Sequence, residues 1–154
     1  MSLPNAVVID ACILVSISSN EACSYKIAEK SFDTYAMNGW EFFAPNVIIS
    51  EGMFALCKKL NANILTAKDH DKAVESYLDY TSFISLHNNE SSLMKRAVEI
   101  RKGYGCSRSA DGIYIALAEE LTKSRTTEFL TLDGGMKNQI SNSAPTVNLN
   151  LLVT

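Results

Sequence analysis

Apolar residues follow two rhythms along this chain. At 6–9 (AVVI) and within 128–132 (EFLTL) they run on with little polar interruption, as in strands buried on both faces of a helix-covered parallel sheet. Elsewhere they recur every three or four residues, the helical rhythm. The spacing of Ile27/Ala28, Phe32 and Tyr35/Ala36 predicts a helix over about 22–38, stopped by Asn38-Gly39. A short strand at 41–44 (EFFA) leads through Pro45-Asn46 into a helix to about residue 60, and Val74, Tyr77 and Leu78 mark another over about 68–82. A strand at 83–86 (FISL) precedes a helix opened by Asn88-Asn89, carrying Leu93, Ala97 and Ile100, and ended by Gly103 and Gly105. Ser109 can cap the next helix, whose Ile113, Ile115, Ala116, Leu117, Ala118 and Leu121 make it apolar on nearly all sides and therefore deep in the fold. The strand at 128–132, a short helix with Met136 and Ile140, and a strand at 146–149 complete the series. Strands alternating with helices predict an α/β fold of three layers, α/β/α, around a central, mostly parallel sheet.

A length of 154 residues suits a single domain over 1–154 with one core and no need of metal or disulfide staples. No stretch approaches the roughly 18 apolar residues of a membrane span, and the N-terminus has no signal-peptide pattern, so a soluble, cytoplasmic protein without membrane association is expected. Cys12, Cys23, Cys57 and Cys106 are widely spaced and include no C-x-x-C pair, which predicts reduced, mostly buried thiols. A net charge of −3 draws no polyanion to the molecule as a whole, so any binding of nucleic acid must rest on a local basic patch.

Candidate chemistry enters with four carboxylates. Asp10 follows Val7-Val8-Ile9 at the carboxyl end of the first strand, where ligands gather in open α/β sheets; it could equally cap the following helix. Glu51 has only apolar residues one turn away (Val47, Ile48, Phe54, Ala55), so it is expected to point inward, paired with a buried base or compensated by a bound cation. Asp111 opens the most apolar helix, where it also complements the helix dipole. Asp133 precedes Gly134-Gly135: Asp-Gly can mark a hairpin, but the helical spacing of Met136 and Ile140 favours a strand-end carboxylate with the glycines turning the backbone behind it. Four such acids together point to one acidic pocket suited to Mg²⁺ or Mn²⁺, ions that bind oxygen and can activate water against a phosphodiester.

With those residues in place, the chain resembles the PIN-domain ribonucleases, and in size the VapC-type toxins of toxin–antitoxin pairs, from VVIDACIL through APNVIISEGMFAL and SADGIYIALAEEL to FLTLDGGM. The resemblance implies a PIN-like fold in which Asp10, Glu51, Asp111 and Asp133 are the catalytic and metal-holding acids, with Thr131 of the T-x-D pattern supporting them. It also implies Mg- or Mn-dependent hydrolysis of RNA by an activated water without a covalent intermediate, a protein antitoxin as partner, and a homodimer. Ala11 and Cys12 stand where the family commonly has small hydroxyl or amide residues, Gly112 where Ala is common, and Gly134-Gly135 where charged or bulky residues are usual.

Lys95, Arg96, Arg101, Lys102 and Arg108 precede Asp111 and are candidates for holding an RNA backbone, Arg101, Lys102 and Arg108 foremost; a solvated basic helix face is the alternative. Asp69-His70-Asp71 looks like a metal cluster, but its place at a helix start favours capping and dipole complementarity. His87 reads as a surface loop residue, and Trp40 and the tyrosines do not group as a base-stacking platform. Two other functions compete with a ribonuclease: a catalytically silent PIN-like module for RNA binding or interaction, and a receiver-like phosphotransfer domain. The latter is disfavoured because Asp10 has no adjacent acid.

Overall fold

The computed structural model describes residues 2–103, 105 and 111–154. Its elements run β1 (Ala6–Ile9), α1 (Ala11–Ser18), α2 (Tyr25–Met37), β2 (Glu41–Pro45), α3 (Val47–Asn61), α4 (Ala67–Thr81), β3 (Ile84–His87), α5 (Ser91–Lys102), α6 (Asp111–Thr122), β4 (Thr127–Thr131), α7 (Gly135–Ser143) and β5 (Asn148–Leu151). The sheet has the order β3-β2-β1-β4-β5 with every pairing parallel. A parallel sheet needs both faces covered, and β1, buried at all four positions, lies at its centre. Right-handed crossovers place α1–α4 over one face and α5–α7 over the other. Among the described residues no helix is long and apolar enough to cross a membrane.

Successive strands are laid to one side of β1 as far as β3, and the chain then returns to lay β4 and β5 on the other side. The order therefore reverses between β1 and β4, and helices leave their carboxyl ends in opposite directions, opening a crevice there. Register ties Val8 to Phe129 and Ile9 to Leu130, while Asp10 N–H donates to Leu130 O at 3.0 Å. The residues just after these two strands, Asp10 and Asp133, are thus delivered to one edge of the sheet.

Local chemistry accounts for several boundaries. Gly39, at φ +75°, follows the last turn of α2 in the left-handed conformation that closes many helices, and its N–H donates to Ala36 O. Thr66, rather than the acids after it, caps α4 by accepting the Asp69 N–H at 3.1 Å, with Asp69 complementing the dipole of the first turn. α1 was not expected from the spacing. The last strand begins two residues later than expected, at Asn148. Ser109 and Cys106 lie outside the described residues. The expectation of mostly buried thiols is corrected: Cys23 and Cys57 are free and exposed, and Cys12 is partly buried.

α3 and α4 meet where Gly52 leaves room for the fully buried Tyr77, whose hydroxyl donates to Ile48 O at 2.5 Å. A β-carbon at 52 would fall within the Tyr77 ring. Gly52→Ala is therefore expected to destabilise the protein by about 1–3 kcal/mol, as overpacking of a tight contact does. Urea denaturation would show a lowered midpoint with little change in slope.

Candidate active site

All four candidate acids line one cavity of about 580 Å³ at the carboxyl edge of the sheet. Asp10 arrives from β1, Glu51 from the second turn of α3, Asp111 from the start of α6, and Asp133 from the turn after β4. The hairpin reading of Asp133 does not hold, because the chain enters α7. Gly134, at φ −61° and ψ −23°, uses no conformation special to glycine. The glycine that matters is Gly135: its N–H donates to Asp133 Oδ1 at 2.9 Å, and a β-carbon there would come within 3.1 Å of that oxygen.

Asp10 occupies the N-cap position of α1 with extended backbone, yet its side chain makes no capping hydrogen bond. Its Oδ2 instead accepts the Thr131 hydroxyl at 2.7 Å. With the Thr131 proton committed to Asp10, the 3.4 Å contact between Thr131 Oγ1 and Cys12 Sγ has the thiol as donor, and Cys12 Sγ in turn accepts the Leu132 N–H at 3.4 Å. Asp133 N–H also donates to Thr131 Oγ1, at 3.0 Å. The donors therefore run in one direction, from the turn after β4 through Cys12 and Thr131 to Asp10, so a thiol fills the place where a hydroxyl or amide was expected. Burial raises the Cys12 pKa, and the neighbouring Asp10 charge adds to the effect, keeping the thiol protonated as this direction requires.

Glu51 Oε1 accepts the hydroxyl of Tyr114 at 2.7 Å, across the gap between α3 and α6. Its inward direction is as read from the sequence, though Phe54, one of the apolar neighbours behind that reading, is itself 66% exposed. Asp111 Oδ2 accepts from Gln139 Nε2 at 3.1 Å and lies 3.5 Å from Arg101 Nη1, which donates to Gln139 Oε1 at 2.7 Å. Tyr114 and Gln139 were not foreseen. Tyr114 stands at i+3 from Asp111, a spacing that could have flagged it, whereas nothing in the sequence joins Gln139 of α7 to α6.

Arg101 corrects an expectation. It is buried, and its guanidinium is turned toward Asp111 rather than toward a basic face. Arg96 is engaged by Glu119, at 2.7 Å, and by Ser143 O, while Lys95 and Lys102 are exposed and Arg108 lies outside the described residues. The basic run in the sequence therefore does not become one open patch among the described residues. Gly112 accompanies the placement of Arg101: a β-carbon there would lie 2.7 Å from Arg101 Cγ and 2.7 Å from Ala97 O.

His87 ends β3 with its ring 5.7 Å from that of Phe43, so it is part of the sheet and not a surface loop. His70 and Asp71 stand 3.7 Å apart on α4, away from the acidic cavity. A larger cavity of about 790 Å³ between α2 and α4 contains none of the four acids.

Electrostatics follow from burial first and from neighbouring acids second. Asp10 is raised from 3.8 to about 7, chiefly by burial and further by Asp111 and Glu51, against the opposing Thr131 hydrogen bond. Glu51 is raised by burial and by Asp111, with the Tyr114 hydrogen bond opposing. Among the described residues no three His, Cys, Asp or Glu side chains are gathered closely enough to form a compact metal-ligand group. The donor set is nonetheless all carboxylate oxygen, and Mg²⁺ or Mn²⁺ commonly takes one or two carboxylates and keeps several waters. The residues fit such an ion in chemistry, and a divalent charge would offset the burial and the repulsion that together raise Asp10.

A carboxyl group whose folded pKa lies above its unfolded value binds more protons folded than unfolded between the two, so stability declines as pH rises from about 4 to about 7. Asp10→Asn removes that loss. In EDTA at pH 8 the variant is expected to be more stable than the parent by about 2–4 kcal/mol, with the advantage vanishing near pH 4. Thermal melts across that range would measure it.

No protein-family model matches the sequence, and no curated protein matches it. Solved structures do match by shape. A chain of VapBC2 from Rickettsia felis, crystallised bound to a DNA fragment from their promoter, superposes with a TM-score of 0.63 at 12% identity, over 96% of this chain and 99% of that one. VapC20 from Mycobacterium tuberculosis, a sarcin-ricin loop cleaving toxin, gives 0.62 at 12% identity, over 86% and 93%. A toxin–antitoxin complex from Klebsiella pneumoniae gives 0.60 at 16%, over 92% and 94%. The five-stranded parallel sheet with helices on both faces is the fold of the VapC-like PIN domain.

Proposed function

We propose that this protein is a divalent-metal-dependent endoribonuclease that hydrolyses RNA phosphodiester bonds and acts as the toxin of a toxin–antitoxin pair. The observation that carries the reading is the facing of Asp10, Glu51, Asp111 and Asp133, from four remote segments, onto one cavity at the strand-order reversal. Asp10 at a cap position without capping, and raised to about 7, supports it further, since a cap residue kept for its fold would use its oxygen on the helix.

The four acids would hold one or two Mg²⁺ or Mn²⁺ ions, and the chemistry such ions supply when bound is activation of water and neutralisation of phosphoryl charge. Thr131 fixes the Asp10 carboxylate through Oδ2, Tyr114 fixes Glu51 through Oε1, and Gln139 fixes Asp111 through Oδ2, so each of these acids is oriented by a neutral donor. In the reaction a water oxygen bonds to phosphorus, the bond to the leaving ribose oxygen breaks, and a proton passes to that oxygen. The partners in this reading are an RNA strand and a protein antitoxin, with the chain acting as a homodimer; the toxin–antitoxin structures of the same fold support the antitoxin.

The silent-module reading has its own observation in the Arg101 guanidinium beside Asp111, a counter-charge already within the site. Calorimetric titration with Mn²⁺ separates the two. The nuclease reading expects a saturable site lost in Glu51→Gln, and Mg²⁺-dependent RNA cleavage that falls at least about a hundredfold in Asp10→Asn and Asp111→Asn while both stay folded. Cleavage equal in parent and variants, or no saturable Mn²⁺ site, would reject it.

A further inference from the structure

The wall that α3 contributes to the acidic cavity consists of Glu51, Ala55 and Lys59, the i, i+4 and i+8 positions of one helix face. A rise of 1.5 Å per residue sets Lys59 about 12 Å along the axis from Glu51. A strand with its reacting phosphate near Glu51 would therefore meet Lys59 with a phosphate further along, and the small side chain of Ala55 leaves the way between them clear.

Among the described residues Lys59 is the one cation lining this cavity, against Asp10, Glu21, Glu51, Asp111 and Asp133. Its Nζ lies 2.9 Å from Glu21 Oε1, with the two side chains 19% and 36% exposed. The other Glu21 oxygen accepts the Ser24 hydroxyl at 3.2 Å, and Ser24 is itself paired with the buried Ser16. The carboxylate is thus fixed from the α1–α2 connection, and it holds the ammonium at the cavity wall through a partly solvated ion pair. Such a pair is weak enough to exchange for a phosphate.

We propose that Lys59 is a substrate-positioning residue that takes a non-scissile phosphate of the RNA strand in exchange for the Glu21 carboxylate. The identity of the polyanion rests on the nuclease reading; the contact itself rests on the placement of Lys59. It supplies the local positive charge that the buried Arg101 does not offer to the surface.

The test is binding of a single-stranded RNA, followed by fluorescence anisotropy in Ca²⁺, which neutralises the acids in place of the catalytic ion, over a salt series, together with kcat and KM in Mn²⁺. Lys59→Ala and Lys59→Gln are expected to weaken binding several-fold, to reduce the slope of log Kd against log salt by about 0.7, and to raise KM with little effect on kcat. Lys59→Arg retains the contact, and Glu21→Gln tightens binding by removing the competitor. Lys58→Ala makes the same charge change on α3, where that ammonium lies 5.2 Å from the Phe54 ring centroid, outside the cavity lining, and leaves the slope unchanged. Parallel weakening in Lys59→Ala and Glu21→Gln with an unaltered slope would mean a purely structural pair, and it would overturn the proposal. So would equal slopes for the Lys58 and Lys59 variants, or no binding of RNA by the parent protein. An RNA that binds with the expected slope change but is never cut would reject the nuclease reading alone.

Discussion

Like charges facing one cavity at the carboxyl edge of the sheet are the constraint around which this molecule is organised. Four carboxylates share one cavity, and the most buried of them, Asp10, is held near neutral pH by desolvation and by its two facing acids. Such an arrangement costs folding stability, so the scaffold must fix it from many sides. The central strand β1 is buried along its whole length and bonded to β2 and β4, which leaves Asp10 no freedom to move away. The reversal of strand order beside β1 then brings Asp133 to the same edge without any contact between the two carboxylates having to favour it.

Neutral donors, more than counter-charges, stabilise the arrangement. Thr131 serves Asp10, Tyr114 serves Glu51, and the Gly135 N–H serves Asp133. Hydroxyl and amide donors orient an oxygen while leaving its charge available, whereas a guanidinium would cancel it. Asp111 departs from this pattern, since Arg101 stands 3.5 Å away with Gln139 between them. The Arg101 stem crosses the space over Gly112, so glycine at that position and a buried arginine on α5 are two sides of one packing solution.

Much of the scaffold was legible because burial on both faces writes itself into the sequence as an unbroken apolar run, as at Val7, Val8 and Ile9, and because one-sided burial leaves a helical period, as at Leu93, Ala97 and Ile100. The same physics hid α1. Seven of its eight residues are buried, two serines among them, so ACILVSIS has no polar face to reveal a period. β5 was displaced by two residues because NLNL is a half-exposed edge with little apolar signal. The acids could be picked out by their misfit with strand ends and apolar helix faces. Their partners were harder to read: Tyr114 was marked only by its i+3 spacing from Asp111, Arg101 stood out only as part of a basic run, and nothing joined Gln139 to the site until α3, α5, α6 and α7 met. Charge was the poorest guide, because Arg96 and Arg101 looked like a shared basic face and are instead consumed by separate carboxylates.

That last failure bears on how an acidic protein could receive a polyanion at all. With 17 acids against 14 bases, the long-range field repels RNA, and Lys95 and Lys102, the exposed lysines of α5, lie outside the lining of the acidic cavity. Attraction must then arise within a few ångströms of the cavity, where the screening length of physiological salt no longer matters. Divalent ions at the acids would reverse the sign of the cavity floor, and a cation on its wall would extend that reversal along the strand. Lys59, held at the wall by an acid it can release, has the position and the exchangeable partner for this role, while Arg101, locked between Asp111 and Gln139, has neither.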